Sequence, residues 1–428
     1  DKVKAAIGNA TGEEFNKKFD AVKKEIEEAA GEKGKYVANV KDYFNGNQFF
    51  LLVYKRYTDV RLVGTPPKSL GKFGGDTDNW MWPRHTSDFP MFRVYADENN
   101  QPRAYNASNV PFRPKKYLPV SIRGVKEGDY AMVMGYPGRT NRYEVSYGVD
   151  LAVNVTNPSI VACRDLRLSI MRKHMDMNKS TYLQLTSSYS RIANYWKYYI
   201  GQTEQLVRLN VVDKKRKSED DFSRWQRENN LDAGLLGKFA KIYTDYTPYA
   251  KHSVYYSECF RATAFARMGS ALKPLHDAYV RHAGKKMADD TVKKYIDIAQ
   301  SVYRANMKEF DLGTEKDMFA QMTELYYKNV PKDQLPDIYE KVIFAKHKKS
   351  YTAYTDYVFS HTFLADSNKF NAFCKAPSLE KLKNDAAFTY ALSYAANYGK
   401  NYQPKIEANT NQKADLAREY VRQLMMQQ

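Results

Sequence analysis

The sequence predicts a multidomain β-plus-α protein, with a strand-rich part over residues 1–150 and a large all-α part over residues 151–428. A chain of 428 residues exceeds what one ordinary core organises. Its first third alternates short β-prone runs with Gly, Pro and Asn, which suits an antiparallel barrel or sandwich better than a βαβ fold. The remainder consists of long runs without strong interior breakers, as helices require.

The first element is an amphipathic helix. Thr11 and Glu14 form a capping-box pattern, Phe15, Phe19, Val22, Ile26 and Ala29 share one face, and Gly31 supplies a stop. Strands are predicted at Gln48–Tyr54, Thr58–Val63, Asp88–Ala96, Leu118–Ile122, Tyr130–Tyr136 and Tyr143–Val149. Helices are predicted at Arg164–Met175, Ser187–Val212, Asp220–Asn229, Tyr256–Val280, Asp290–Phe310 and Lys316–Lys328. Further helices are expected at Pro336–Ala345, Tyr351–Phe359, Ser378–Tyr398 and Gln412–Met426, with Pro331 and Pro336 as boundaries. No repeat of fixed period occurs, which argues against a helical solenoid.

Hydrophobic residues at 43% and aromatics at 14% are ample for packed interiors. The 35 tyrosines supply apolar area whose hydroxyls need partners. No apolar run is long enough for a membrane-spanning helix. The chain opens on Asp1 without a charged-then-apolar leader, so it is expected to begin inside a longer product or after processing. The net charge of +18 reads as a Lys-rich solvated surface: no nucleic-acid motif accompanies it, and the densest run, Lys214 to Lys217, is followed at once by Glu219, Asp220 and Asp221. Cys163, Cys259 and Cys374 form no C-x-x-C pair and are expected as buried free thiols.

The densest chemistry lies between Gly74 and Tyr95, where Asp76, Asp78, Asn79, Trp80, Trp82, His85 and Asp88 crowd one connection into a strand. Asp76 and Asp78 open like a calcium loop, but Trp80 stands at the third ligand position and no Gly follows at the sixth, so no metal is expected. No H-E-x-x-H, P-loop, G-x-G-x-x-G or G-x-S-x-G motif is present, and no cofactor is expected. His85 and Asp88 lie three residues apart on one strand entry, whereas a triad Asp meets a His delivered from elsewhere in the fold. His85 is therefore expected as a loop histidine hydrogen-bonded near Trp82, and the other six histidines as surface or satisfied interior residues.

The run Gly74–Tyr95, the segment Gly128–Thr140 and the segment Ile192–Lys197 together resemble the bacterial dipeptidyl-peptidase 7/11 family of serine peptidases. The resemblance implies an incomplete chymotrypsin-like double β-barrel, whose second barrel opens at Gly128–Thr140, followed by a helical domain that caps the active site. It implies that Asp88 is the triad aspartate, and that Asn79, the carbonyl of Trp80 and Asn194 hold the free N-terminal ammonium of a peptide. The family's catalytic His lies in an Asn-His-His-Cys-type segment and its nucleophilic Ser in a Gly-Asn-Ser-Gly-Ser-type segment. Neither occurs here, so both are expected outside residues 1–428, leaving an internal fragment that is inactive alone. The implied activity is release of dipeptides from free peptide N-termini, in the periplasm or at the cell envelope, by a homodimer when full length. The alternatives are a non-catalytic peptide-binding relative and a basic helical scaffold for polyanions.

Overall fold

The computed structural model describes residues 1–75, 77–132, 135, 140–282 and 288–428. It forms two units, Asp1–Glu144 with Ala414–Gln428, and Val145–Lys413. The architecture is multidomain, a small β part and a large all-α domain, and no closed barrel is found among the described residues.

In the first unit, α1 (Lys2–Ile7) and α2 (Gly12–Ala30) precede a ribbon of β1 (Val37–Tyr43) and β2 (Gln48–Tyr54). Val3, Ile7, Phe15, Val22 and Val40 form its core, joined by Phe19, Ile26 and Phe49, so four residues of the predicted α2 face pack there, whereas Ala29 is exposed. The ribbon is antiparallel from Val37 opposite Tyr54 to Tyr43 opposite Gln48. The four-residue loop Phe44–Asn47 turns it, with Phe44, Asn45 and Gly46 in the left-handed region at φ 53°, 55° and 83°. The C-terminal segment belongs to this unit. The Gly12 amide donates to Asp415 at 2.9 Å, and the Arg418 guanidinium lies 3.6 Å from the Phe15 ring centre.

A second sheet orders β3 (Asp59–Gly64), β4 (Met91–Ala96) and β5 (Val110–Pro111), with the short helix α3 (Lys68–Gly71) between the first two. Asp59 is buried and takes a forked pair of bonds from Arg61, at 3.0 and 2.8 Å, plus one from Asn109 at 2.8 Å. The Arg61 bonds hold its carboxyl below the usual aspartate range.

Two predicted strands are corrected. Leu118–Ile122 is not a strand: Leu118, Val120 and Ile122 alternate as a strand would, but they are exposed and no segment among the described residues pairs with them. Tyr143–Val149 instead enters the helix α4 (Ser146–Leu151), whose first turn is fixed by the buried Glu219. That carboxylate accepts from the Ser146 amide and hydroxyl, both at 2.6 Å. The Tyr130–Tyr136 strand and the Gly128–Thr140 segment lie partly outside the described residues, and Tyr130, Ala131, Met132 and Gly135 are not in a strand.

The second unit is helical throughout its described residues. After α4 come α5 (Asn157–Met177), α6 (Lys179–Arg208), α7 (Val211–Glu228), α8 (Leu235–Glu258), α9 (Ala264–Arg281), α10 (Asp289–Met307) and α11 (Leu312–Asn329). Then follow α12 (Ala345–His347), α13 (Tyr351–Ser360), α14 (Ser367–Lys375), α15 (Leu379–Lys383), α16 (Ala386–Asn401) and the start of α17 (Gln403–Gln427), whose residues from Ala414 onward belong to the first unit. Side-chain caps start many of them: Asn178, Thr263, Asp311, Ser350, Asp366, Ser378 and Asp385 each accept an amide of the following first turn. The predicted Tyr256–Val280 helix is broken at Phe260–Ala262, and α9 begins afresh behind the Thr263 cap.

Aromatic residues fill the helical core; several of their polar tips are engaged, whereas the Tyr303 hydroxyl and Trp196 Nε1 are buried without a hydrogen bond among the described residues. Tyr339 donates to the Thr323 carbonyl at 2.7 Å, and the Tyr390 and Thr323 hydroxyls meet at 3.0 Å. His252, fully buried, lies between Gln334 at 3.1 Å and Tyr326 at 2.6 Å. All three cysteines are free; Cys163 and Cys259 are buried, with sulfurs 3.1 Å apart, whereas Cys374 is half-buried.

Candidate functional site

The polar-aromatic connection leaves α3 and returns to the sheet at β4. Asp78 organises it. One oxygen of its carboxylate accepts the backbone N–H of His85 at 2.7 Å and meets the ring Nδ1 of the same residue at 3.0 Å. These bonds, the backbone one foremost, hold the Asp78 carboxyl below the usual range. The Asp78 amide donates to the Gly74 carbonyl at 3.1 Å, and the Met81 amide to the Asp78 carbonyl at 3.0 Å. Gly74 has no substitute in this arrangement: a Cβ there would lie 1.9 Å from the Asp78 carboxylate. The far end is held by the Ser87 amide, which donates to Leu70 at 3.2 Å, and by Arg84 Nε, which donates to Thr86 Oγ1 at 2.7 Å.

Asn79 and Trp80 fall inside the span closed by Asp78 and His85. Asn79 is half-buried; Trp80 is exposed, with its backbone left-handed at φ 61°. Asp88 lies beyond the closure, three residues before β4, exposed and without a hydrogen bond or ion pair among the described residues. These three residues therefore share one connection in the first unit. Asn194 lies in the second unit, half-buried on α6.

His85 bonds to Asp78, and the aspartate, which sequence reasoning weighed only as a calcium ligand, sets the loop's shape. Asp76, the other member of that pair, lies outside the described residues. Among the described residues no three His, Cys, Asp or Glu side chains converge as a metal site would require, and no helix is long and apolar enough to cross a membrane.

The Asp/Glu-specific dipeptidyl-peptidase of Flavobacterium psychrophilum is 37% identical over 361 residues, covering 83% of this chain and 49% of the relative. Dipeptidyl-peptidase 7 of Porphyromonas gingivalis is 35% identical over 390 residues, covering 89% of this chain and 52% of the relative. The chain thus spans about half the length of the curated relatives it matches. Among solved structures, Porphyromonas endodontalis DPP11 in complex with the dipeptide Arg-Asp matches with a TM-score of 0.81 at 25% identity, over 98% of this chain and 59% of that one. The complex of the same protein with Arg-Glu gives 0.80 at 25% identity, over 96% and 58%. The Peptidase S46 family matches residues 1–428 from end to end, and by that match and these relatives the chain belongs to the Peptidase S46 family.

Proposed function

We propose that this chain is the part of a serine-type dipeptidyl peptidase that carries the triad aspartate and part of the clamp for a substrate's free α-amine. The observation that carries the reading is the family match over residues 1–428, joined to relatives that are dipeptidyl-peptidases. In this reading Asp88 accepts the Nδ1–H of a catalytic histidine, fixes its tautomer and stabilises the imidazolium formed in turnover. Its carboxylate, exposed and without a partner among the described residues, keeps both oxygens available for that bond. The histidine and the nucleophilic serine come from segments outside these 428 residues, in keeping with a chain that spans about half of its relatives.

Asn79, the Trp80 carbonyl and Asn194 supply acceptors for an ammonium, which has three donors and no acceptor of its own. Holding that amine sets how many residues reach the scissile bond, and so selects dipeptides as products. The whole enzyme is proposed to work in the periplasm or at the envelope as a homodimer.

The deciding experiment incubates the enzyme containing this chain with a free peptide and with its N-acetylated twin, and reads the products by mass spectrometry. Stepwise dipeptide loss from the free peptide alone is expected. Equal cleavage of the blocked peptide would remove the exopeptidase reading.

A further inference from the structure

In the helical unit, α5, α6, α9, α10 and α11 line a pocket of about 350 Å³, and Arg167, Ser188, Arg191, Arg267, Glu309 and Glu315 supply its polar wall. Arg167 stands out within it. Its Nε is buried without a partner, and among the described residues the side chain forms no hydrogen bond and no ion pair. The residue as a whole is half-buried, and a guanidinium partly withdrawn from water without a counter-ion is unfavourable unless something neutralises it.

The neighbouring groups do not do so. Glu258 is held in a fork by Arg164, at 3.0 and 2.7 Å. Glu315 accepts the Ala264 amide at 3.0 Å, where α9 begins, and burial raises its pKa, which weakens its claim to a full charge. Glu309 lies 3.8 Å from Arg191. Arg267 adds a second, half-buried cation. Its bonds go to neutral oxygens, Asn306 Oδ1 at 2.6 Å and the Arg261 and Ala262 carbonyls at 2.9 and 2.6 Å. Three guanidinium groups thus face two carboxylates across the pocket, an excess of one positive charge. Burial, aided by the Arg267 charge, brings the Arg167 pKa down to about 10, so the group remains a cation at neutral pH.

We propose that this pocket binds a small oxyanion, a carboxylate or an inorganic phosphate or sulfate, held by the Arg167 guanidinium. The planar donor fork of arginine matches two oxygens of such an anion, and neutralising the charge removes the penalty that the unliganded pocket carries. The volume far exceeds the roughly 30 Å³ share of one water, so the anion fits with part of its hydration shell. Water alone would satisfy the N–H groups and leave the charge standing. The site is independent of the proposed peptidase activity.

The test is isothermal titration calorimetry of the protein with sodium phosphate, sulfate and acetate, each at ionic strength matched with sodium chloride. Saturable one-to-one binding of at least one oxyanion is expected, and the ranking of acetate against phosphate and sulfate identifies which source the site prefers. Arg167→Gln is expected to weaken that binding by about tenfold to a hundredfold, the loss of a charged hydrogen-bond partner. Arg167→Lys keeps the charge and the aliphatic stem, and with them the fold, but removes the fork; it is expected to bind between the two. Absence of saturable binding for all three anions, or wild-type affinity in both variants, would overturn the proposal.

Discussion

Asp78 and His85 are joined twice, once through the His85 backbone amide at 2.7 Å and once through its ring Nδ1 at 3.0 Å. The two hydrogen bonds span the Trp80–Pro83 turn and give the loop a fixed shape ahead of β4. Asp78→Ala is expected to free this turn, since the His85 amide loses its acceptor, whereas His85→Ala leaves the amide bond in place and has the smaller effect. Because the Asp78 pKa is lowered on folding, its contribution is complete above the ordinary aspartate value of about 3.9 and is lost only as pH falls through the lowered value. Hydrogen exchange at the His85 amide measures this directly: it should accelerate severalfold in Asp78→Ala at pH 7 and stay slow in the wild type at pH 5.

The site assignments separate in kinetics. In the enzyme containing this chain, Asp88→Asn is expected to reduce kcat by about four orders of magnitude, as loss of the orienting carboxylate does in triads, with an unchanged far-UV spectrum. Asn79→Ala is expected to raise KM for free-amine peptides while leaving the poor reaction with acetylated ones as it was. Near-normal turnover in Asp88→Asn would exclude it from the triad.

The sequence pattern was a good guide wherever a segment buries a regular face, and a poor one where state depends on a partner. Phe15, Phe19, Val22 and Ile26 announced α2, and the apolar runs of β2 and β4 announced those strands. The sequence Val37–Tyr43 was not recognised, because Val40 alone is buried; pairing to β2 through the Phe44–Asn47 loop makes it a strand. Most of α8 went unrecognised, since Pro248 stands inside it and reads as a boundary. The Gly74–Tyr95 connection was legible from its crowding of costly residues. Asp78 was not, since its role exists only once the loop closes, and Arg167 reads like any solvated helical arginine until five helices converge around it.

His252 ties stability to pH. Gln334 Nε2 donates to the Pro248 carbonyl at 3.0 Å, which aims Oε1 at His252, so the Nδ1 carries the proton and Nε2 accepts from Tyr326. Burial lowers the His252 pKa to about 4, against about 6.5 in the unfolded chain. The unfolded state binds the extra proton first, so stability rises with pH from about 4 to 6.5, by on the order of 3 kcal/mol. His252→Gln should lower stability at pH 7 and flatten denaturant midpoints across that window. A wild-type midpoint that does not change between pH 4.5 and 6.5 would refute the neutral buried imidazole.

Gly269 sets how closely α9 approaches α16. A Cβ at this position would lie 2.6 Å from the Ala391 Cβ and 3.3 Å from the Ala387 carbonyl, neither of which can swing aside. Alanine is the better helix former by about 1 kcal/mol, so local propensity alone favours Gly269→Ala. Overpacking opposes it at about 1–3 kcal/mol, and here the obstruction involves backbone and a Cβ, so the substitution should destabilise. Ala391→Gly opens space opposite, and the double variant should recover part of the loss, a coupling that a cycle of chemical denaturation measures. If Gly269→Ala alone raises the midpoint, the two helices have room between them and the close approach is not what holds them together.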